Sequence, residues 1–149
     1  MITYTTINKS LNNFNRVYNL LIKLDNYFHL SFSSQEDNLI TYTKKIVLHA
    51  NITIASNEKV DIGLVAIYCN DDNQIMSYIT VIAVDKYYQG QRIGQKLIDT
   101  SIKNAKRNGF KVIKLEVNIN NIHAIDFYTS HNFKRVFQEK NSLFMEYVL

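Results

Sequence analysis

The residues with the most chemical promise are Gln89-Gly90-Gln91-Arg92-Ile93-Gly94, which follow an apolar run and lead straight into an amphipathic one. Where a strand hands over to a helix, the first turn offers unpaired N–H groups and the positive end of the helix dipole. Together these bind a phosphate without any side chain. Gly90 allows torsions that other residues resist, Gly94 leaves the backbone of the first turn open to an anion, and Arg92 can add a charge-assisted contact. The same six residues also suit an ordinary strand-to-helix turn that carries two glycines. His123 has a pKa suited to proton transfer, and its setting equally fits a surface histidine. Cys69 follows the apolar run 64–68 and reads as a small core residue rather than a nucleophile.

The elements that must hold these residues follow from periodicity. Residues 2–7 are strand-like, and Phe14, Val17, Tyr18, Leu21, Ile22 and Leu24 recur at helical steps. A second, weaker helical pattern covers 39–48. Strands are expected over 52–55, 62–68 and 75–84, separated by turn formers at 56–59 and 70–73, as an antiparallel meander. The next helix spans 93–108 and buries Ile93, Leu97, Ile98, Ile102 and Ala105, with Lys96, Asp99, Lys103 and Lys106 in water. Gly109 ends it in a left-handed cap. A strand at 112–117, a short helix at 122–131 capped by Asn121 and ended by Asn132, and a hairpin of 135–138 with 143–148 complete the chain. The order β, α, α, β, β, β, α, β, α, β, β is that of a mixed α/β domain with helices on its sheet.

At 149 residues the chain fits a single domain, 1–149, with no linker or repeat. Its 17 Lys+Arg against 13 Asp+Glu give +4, spread along the chain without the basic stripe that nucleic-acid binding requires. One cysteine excludes an intramolecular disulfide, and no window approaches the length of a membrane span. A soluble cytoplasmic protein is expected.

Residues 84–97, Val-Asp-Lys-Tyr-Tyr-Gln-Gly-Gln-Arg-Ile-Gly-Gln-Lys-Leu, resemble motif A of the GNAT acetyltransferase superfamily, with Gln89, Arg92 and Gly94 on its defined positions. Arg92 stands where that motif has its first glycine. Leu115-Glu116-Val117-Asn118 and the stretch 121–128, closing with His131-Asn132-Phe133, resemble motif B in the expected order. The resemblance covers about 75–133. It implies the GNAT fold, a mixed and mostly antiparallel sheet of about seven strands flanked by four helices, and transfer of an acetyl group from acetyl-CoA to a primary amine by direct attack. It implies no metal.

By the same resemblance, Gln89, Gly90, Gln91, Arg92, Ile93, Gly94 and Gln95 hold the pyrophosphate, and Ile82, Ala83 and Val84 pair with the pantetheine arm. A backbone N–H at a bulge near Ile82 meets the developing oxyanion. Asn121 bonds the cofactor arm and Tyr128 protonates the leaving thiolate, as a phenol still protonated at neutral pH can do. Glu116 matches the base of the ribosomal-protein N-terminal acetyltransferase branch, twelve residues before Tyr128. It equally fits the exposed, alternating position of a half-buried strand. The acceptor pocket falls on Tyr27, Phe28, His29, Phe32, Glu36, Tyr42, Phe137 and Phe144, aromatics that would also suit a core. Asn118 or Lys103 could touch the adenosine end, though Lys103 also fits a solvated helix face. Small amines, amino sugars and peptide N-termini all remain open as acceptors, and homodimerisation is common in such folds. A non-catalytic acyl-CoA sensor is the alternative from another class.

Overall fold

The chain is described here by a computed structural model covering residues 1–28 and 36–149, with side chains for all of these except 26–28 and 36–37. Seven strands form one sheet: β1 (Ile2–Ile7), β2 (Asn51–Asn57), β3 (Val60–Tyr68), β4 (Met76–Val84), β5 (Val112–Asn118), β6 (Lys134–Glu139) and β7 (Ser142–Val148). Their spatial order is β1-β2-β3-β4-β5-β7-β6, antiparallel throughout except for β4 with β5. Four helices, α1 (Phe14–Phe28), α2 (Glu36–His49), α3 (Ile93–Arg107) and α4 (Ile122–Ser130), are divided between its two faces. Element order and class are as the sequence leads one to expect, and most boundaries fall within two residues of expectation. Single 3₁₀ turns at Leu11–Asn13 and Lys86–Tyr88 are additional.

Two apolar cores sandwich the sheet. On one face Val17, Leu21 and Leu24 of α1 and Ile46 of α2 pack on Ile52, Ile54, Leu64 and Val81. On the other, Leu97, Ile98 and Ala105 of α3 and Ile125 of α4 pack on Ile113, Leu115 and Met145. Burial on both faces explains why 62–67 read as an unbroken apolar run. Helix α3 buries Ser101 where Ile102 is expected; Ile102 is half-buried. Gly109 and Asn132 take the left-handed conformation (φ 82° and 71°), and the N–H groups of Phe110 and Phe133 reach back to Ala105 and Tyr128, as the Schellman motif requires.

Strands β4 and β5 pair over only three positions, Met76 with Val112, Ser77 with Ile113 and Tyr78 with Lys114. Beyond Tyr78 they part. The register of β4 against β3 also slips there, because Ile67 pairs with Ile79 and Ala66 with Val81, leaving Thr80 as an inserted residue. The insertion reverses the facing of the side chains. Ile79 therefore joins the α3 core, whereas Val81, two residues on, joins the α1 core. The bulge lies at Thr80, two residues before the position near Ile82 expected from the sequence; pairing with β3, rather than any special residue, determines it.

Candidate active site

Past the bulge, the direction of each β4 amide can be read from one bond. Asp85 N–H donates to Ile62 O at 2.7 Å, so Asp85 and Ala83 direct their backbone groups toward β3. Ile82 and Val84, of opposite parity, direct theirs to the edge that β5 has left. The split thus exposes a short row of strand donors and acceptors. Ile82 and Val84 are half-buried against the α3 core, and Ala83 is buried on the opposite face.

The row runs into the phosphate-loop candidate. Asp85 caps the 3₁₀ turn, its carboxylate accepting from Tyr87 N–H at 2.9 Å, and Tyr88 OH accepts from Asn57 Nδ2 at 3.0 Å. Gln89, Gly90, Gln91, Arg92 and Gln95 are exposed, while the side chain of Ile93 is buried, so Ile93 can offer a ligand only its backbone. Gly90 has φ 85° with open space around the position of a Cβ. Arg92 also lies in the left-handed region (φ 62°, ψ 22°), which explains why glycine is common there in motif A. Lys96 N–H is bonded to Arg92 O, so the N–H groups before it have no acceptor within the helix. A Cβ at Gly94 would lie 3.3 Å from Cζ of Phe127, so its missing side chain also admits the Phe127 ring of α4 against α3.

Tyr128 comes from α4, its ring edge-on to Phe127 and tilted on Phe133, with centroids 5.5 and 5.8 Å away. Burial, and secondarily the nearby Tyr78, push its phenol well above the usual range. Asn121 caps α4 by accepting from Ala124 N–H at 3.2 Å. His123 is exposed, as are Lys103 and Asn118, whose side chain accepts from Asn120 N–H at 2.8 Å. Cys69 is half-buried, and burial raises its thiol, so it is no ready nucleophile.

On the face away from α3, Tyr78 stands beside Tyr68 across β3 and β4, and Lys114 is its partner on β5. Glu116, two residues further on β5, is exposed on that same face and raises the Tyr78 phenol, after burial. Beside Glu116 lies Phe144, with Phe137 beyond it at 5.7 Å between rings. Phe137 is 59% exposed, a large apolar ring left open to solvent. Tyr42 of α2 meets Thr80 of the bulge at 2.8 Å between hydroxyls, and burial pushes its phenol up. This floor of Tyr78, Glu116, Phe144 and Phe137 is flanked by Tyr68 and Thr80, and sequence reasoning had not singled out Tyr78, Tyr68 or Thr80. Period-two alternation from Ser77 could have flagged Tyr78. His29 and Phe32 lie outside the described residues, as do the side chains of Tyr27, Phe28 and Glu36.

The sequence pattern of the acetyltransferase (GNAT) family matches residues 15–133. An uncharacterized N-acetyltransferase of Methanocaldococcus jannaschii is 35% identical over 77 residues, which are 49% of this chain and 34% of that protein. N-alpha-acetyltransferase 30 of Schizosaccharomyces pombe is 34% identical over 74 residues, 47% of this chain and 49% of its own length. The chain thus spans at most about half the length of these curated relatives. In fold, it is similar to the PaiA N-acetyltransferase of Thermoplasma acidophilum, solved in complex with coenzyme A. The TM-score is 0.78 at 13% identity, over 100% of this chain and 99% of that one.

Proposed function

This chain belongs to the acetyltransferase (GNAT) family, and from that premise we propose that it moves an acetyl group from acetyl-CoA to a primary amine. The observation that carries the reading is the row of Ile82 and Val84 backbone groups facing the split beside β5 and running into a helix start. Such a split fits a pantetheine arm added as a strand, and the first turn of α3 fits its pyrophosphate. The exposed loop, with open space at Gly90, leaves room for the phosphates. Likeness of fold supports the same reading, since the Thermoplasma protein was solved in complex with coenzyme A. Use of acetyl-CoA also supports a cytoplasmic location.

In this reading the thioester, when bound, supplies the acyl group, and the chain's own residues do the rest. Ile82 N–H meets the oxyanion, a donor worth about 3 kcal/mol in such sites. Glu116 takes a proton from the acceptor ammonium, of which only about one part in a thousand is neutral at pH 7. Tyr128, whose phenol burial keeps protonated, gives one to the departing thiolate. Asn121 orients the arm while capping α4.

The floor narrows the acceptor. Lys114 is paired with Glu146 at 3.9 Å, and no ion pair to Glu116 is found among the described residues. A carboxylate flanked by Tyr78 and two phenylalanines favours an ammonium on an apolar stem over an amino sugar, which would need many more polar partners. A peptide N-terminus fits this description, and the similarity to an N-alpha-acetyltransferase supports it. The test is release of CoA thiol on mixing with acetyl-CoA and a panel of peptides, alkyl amines and amino sugars. Turnover of apolar amines, abolished in Glu116→Gln, is the expected result. CoA binding without turnover on any amine would leave a sensor in place of an enzyme.

A further inference from the structure

A chain of charged side chains outside the site ties α1 to the strand end that feeds the phosphate loop. Arg16 grips Asp61 with two bonds of 2.8 and 2.9 Å, and Ser56 Oγ donates to the same carboxylate at 2.7 Å. Lys23, two turns further along α1, donates to Asp61 O at 2.9 Å and lies 3.4 Å from Asp85 Oδ2. Asp85 is only 3% exposed, and its other carboxylate oxygen accepts from Tyr87 N–H at 2.9 Å. No reading of the reaction above uses Lys23 or Asp85.

A buried carboxylate deprived of its cation is left uncompensated, and it regains solvation by moving toward water. Such a move alters the cap on the turn Lys86–Tyr88. Beyond that turn the chain runs straight into the loop, with Gln89 N–H bonded back to Lys86 O at 3.5 Å, so a displaced turn carries the start of the loop with it. We propose that Lys23 is a positioning residue for the cofactor loop: by pairing with Asp85 it holds the turn Lys86–Tyr88 and so aims Gln89–Gly94 at the pyrophosphate. The inference rests on the reading of that loop as the phosphate site.

Calorimetric titration with CoA, together with kcat and KM for acetyl-CoA, tests it on the full chain. Lys23→Met is expected to weaken CoA roughly tenfold or more and to raise KM, with kcat at saturation changed less than about twofold, as misplacement of a binding element at a distance does. Lys23→Arg should keep wild-type affinity. Lys23→Met with Asp85→Asn, which removes the stranded charge but keeps an acceptor for Tyr87 N–H, should recover most of the loss. Arg16→Met is the control, since it breaks the pairing of α1 with Asp61 without touching Asp85, and it should leave CoA affinity unchanged. Unaltered CoA binding in folded Lys23→Met, or an equal loss in Arg16→Met, overturns the inference. If Lys23→Met does not fold, a loss of CoA affinity in Lys23→Arg overturns it in its place. Failure of the wild-type chain to bind CoA overturns the phosphate-loop reading beneath it and the inference with it.

Discussion

Arg92 keeps its backbone at φ 62° two residues after Gly90 at φ 85°, so the loop enters the left-handed region twice, on either side of Gln91. For a residue with a Cβ this costs about 1–2 kcal/mol. Arg92→Gly should therefore stabilise the fold by up to about 1 kcal/mol, the gain being reduced by the extra freedom of glycine in the unfolded chain. Denaturant midpoints would measure it. A second consequence concerns Tyr128. Tyr128→Phe should lower kcat by about 10²- to 10³-fold with little change in KM for acetyl-CoA, as loss of a general acid does. Because burial raises this phenol, it stays protonated beyond pH ~10, the ordinary value. An alkaline fall in kcat below pH 9 that disappears in Tyr128→Phe would contradict this.

At the level of elements, the close approach of α4 to α3 depends on Gly94. Its Cβ position is 3.3 Å from the Phe127 ring and 3.9 Å from Cγ2 of Val84, so Gly94→Val should overpack the junction and cost about 1–3 kcal/mol. Gly94→Ala gains helix propensity that offsets a milder clash. What the sequence made legible here is instructive. Helix ends depend on local torsions, so Gly109, Asn132 and Asn121 announced them, and the spacing of Leu97, Ile98 and Ala105 announced the buried face. The bulge at Thr80 had no such sign, because Tyr-Ile-Thr-Val is ordinary strand sequence and the slip arises from its pairing with β3. The packing of Gly94 against Phe127 was hidden for the same reason: the two lie 33 residues apart. Tyr78 and the Lys23–Asp85 pair likewise belong to contacts between distant segments, which no window of sequence contains.

The molecule as a whole has an acid-sensitive clamp. Burial by itself would raise the Asp61 carboxyl, but hydrogen bonds from Arg16 and Ser56 and the nearby charges of Arg16 and Lys23 together hold it below its ordinary value. A group depressed on folding stabilises the fold fully above its unfolded pKa, and that stability is lost as the pH falls through the folded value. Stability should accordingly decline below pH ~4, the ordinary aspartate pKa, and this part of the decline should be missing in Asp61→Asn. Urea midpoints from pH 6 to 3 would measure it. The parted strands have a wider consequence. With only three paired positions joining β1–β4 to β5–β7, the sheet is an unfinished piece of secondary structure whose missing rungs a ligand can supply. Binding then becomes a late step of folding. Saturation with CoA should slow hydrogen exchange at Ile82 and Val84 above all other strand amides, and it should raise the unfolding free energy by about 2.7 kcal/mol at a hundredfold excess over Kd. In the function proposed above, acyl-CoA would be the strand that closes this β-sheet.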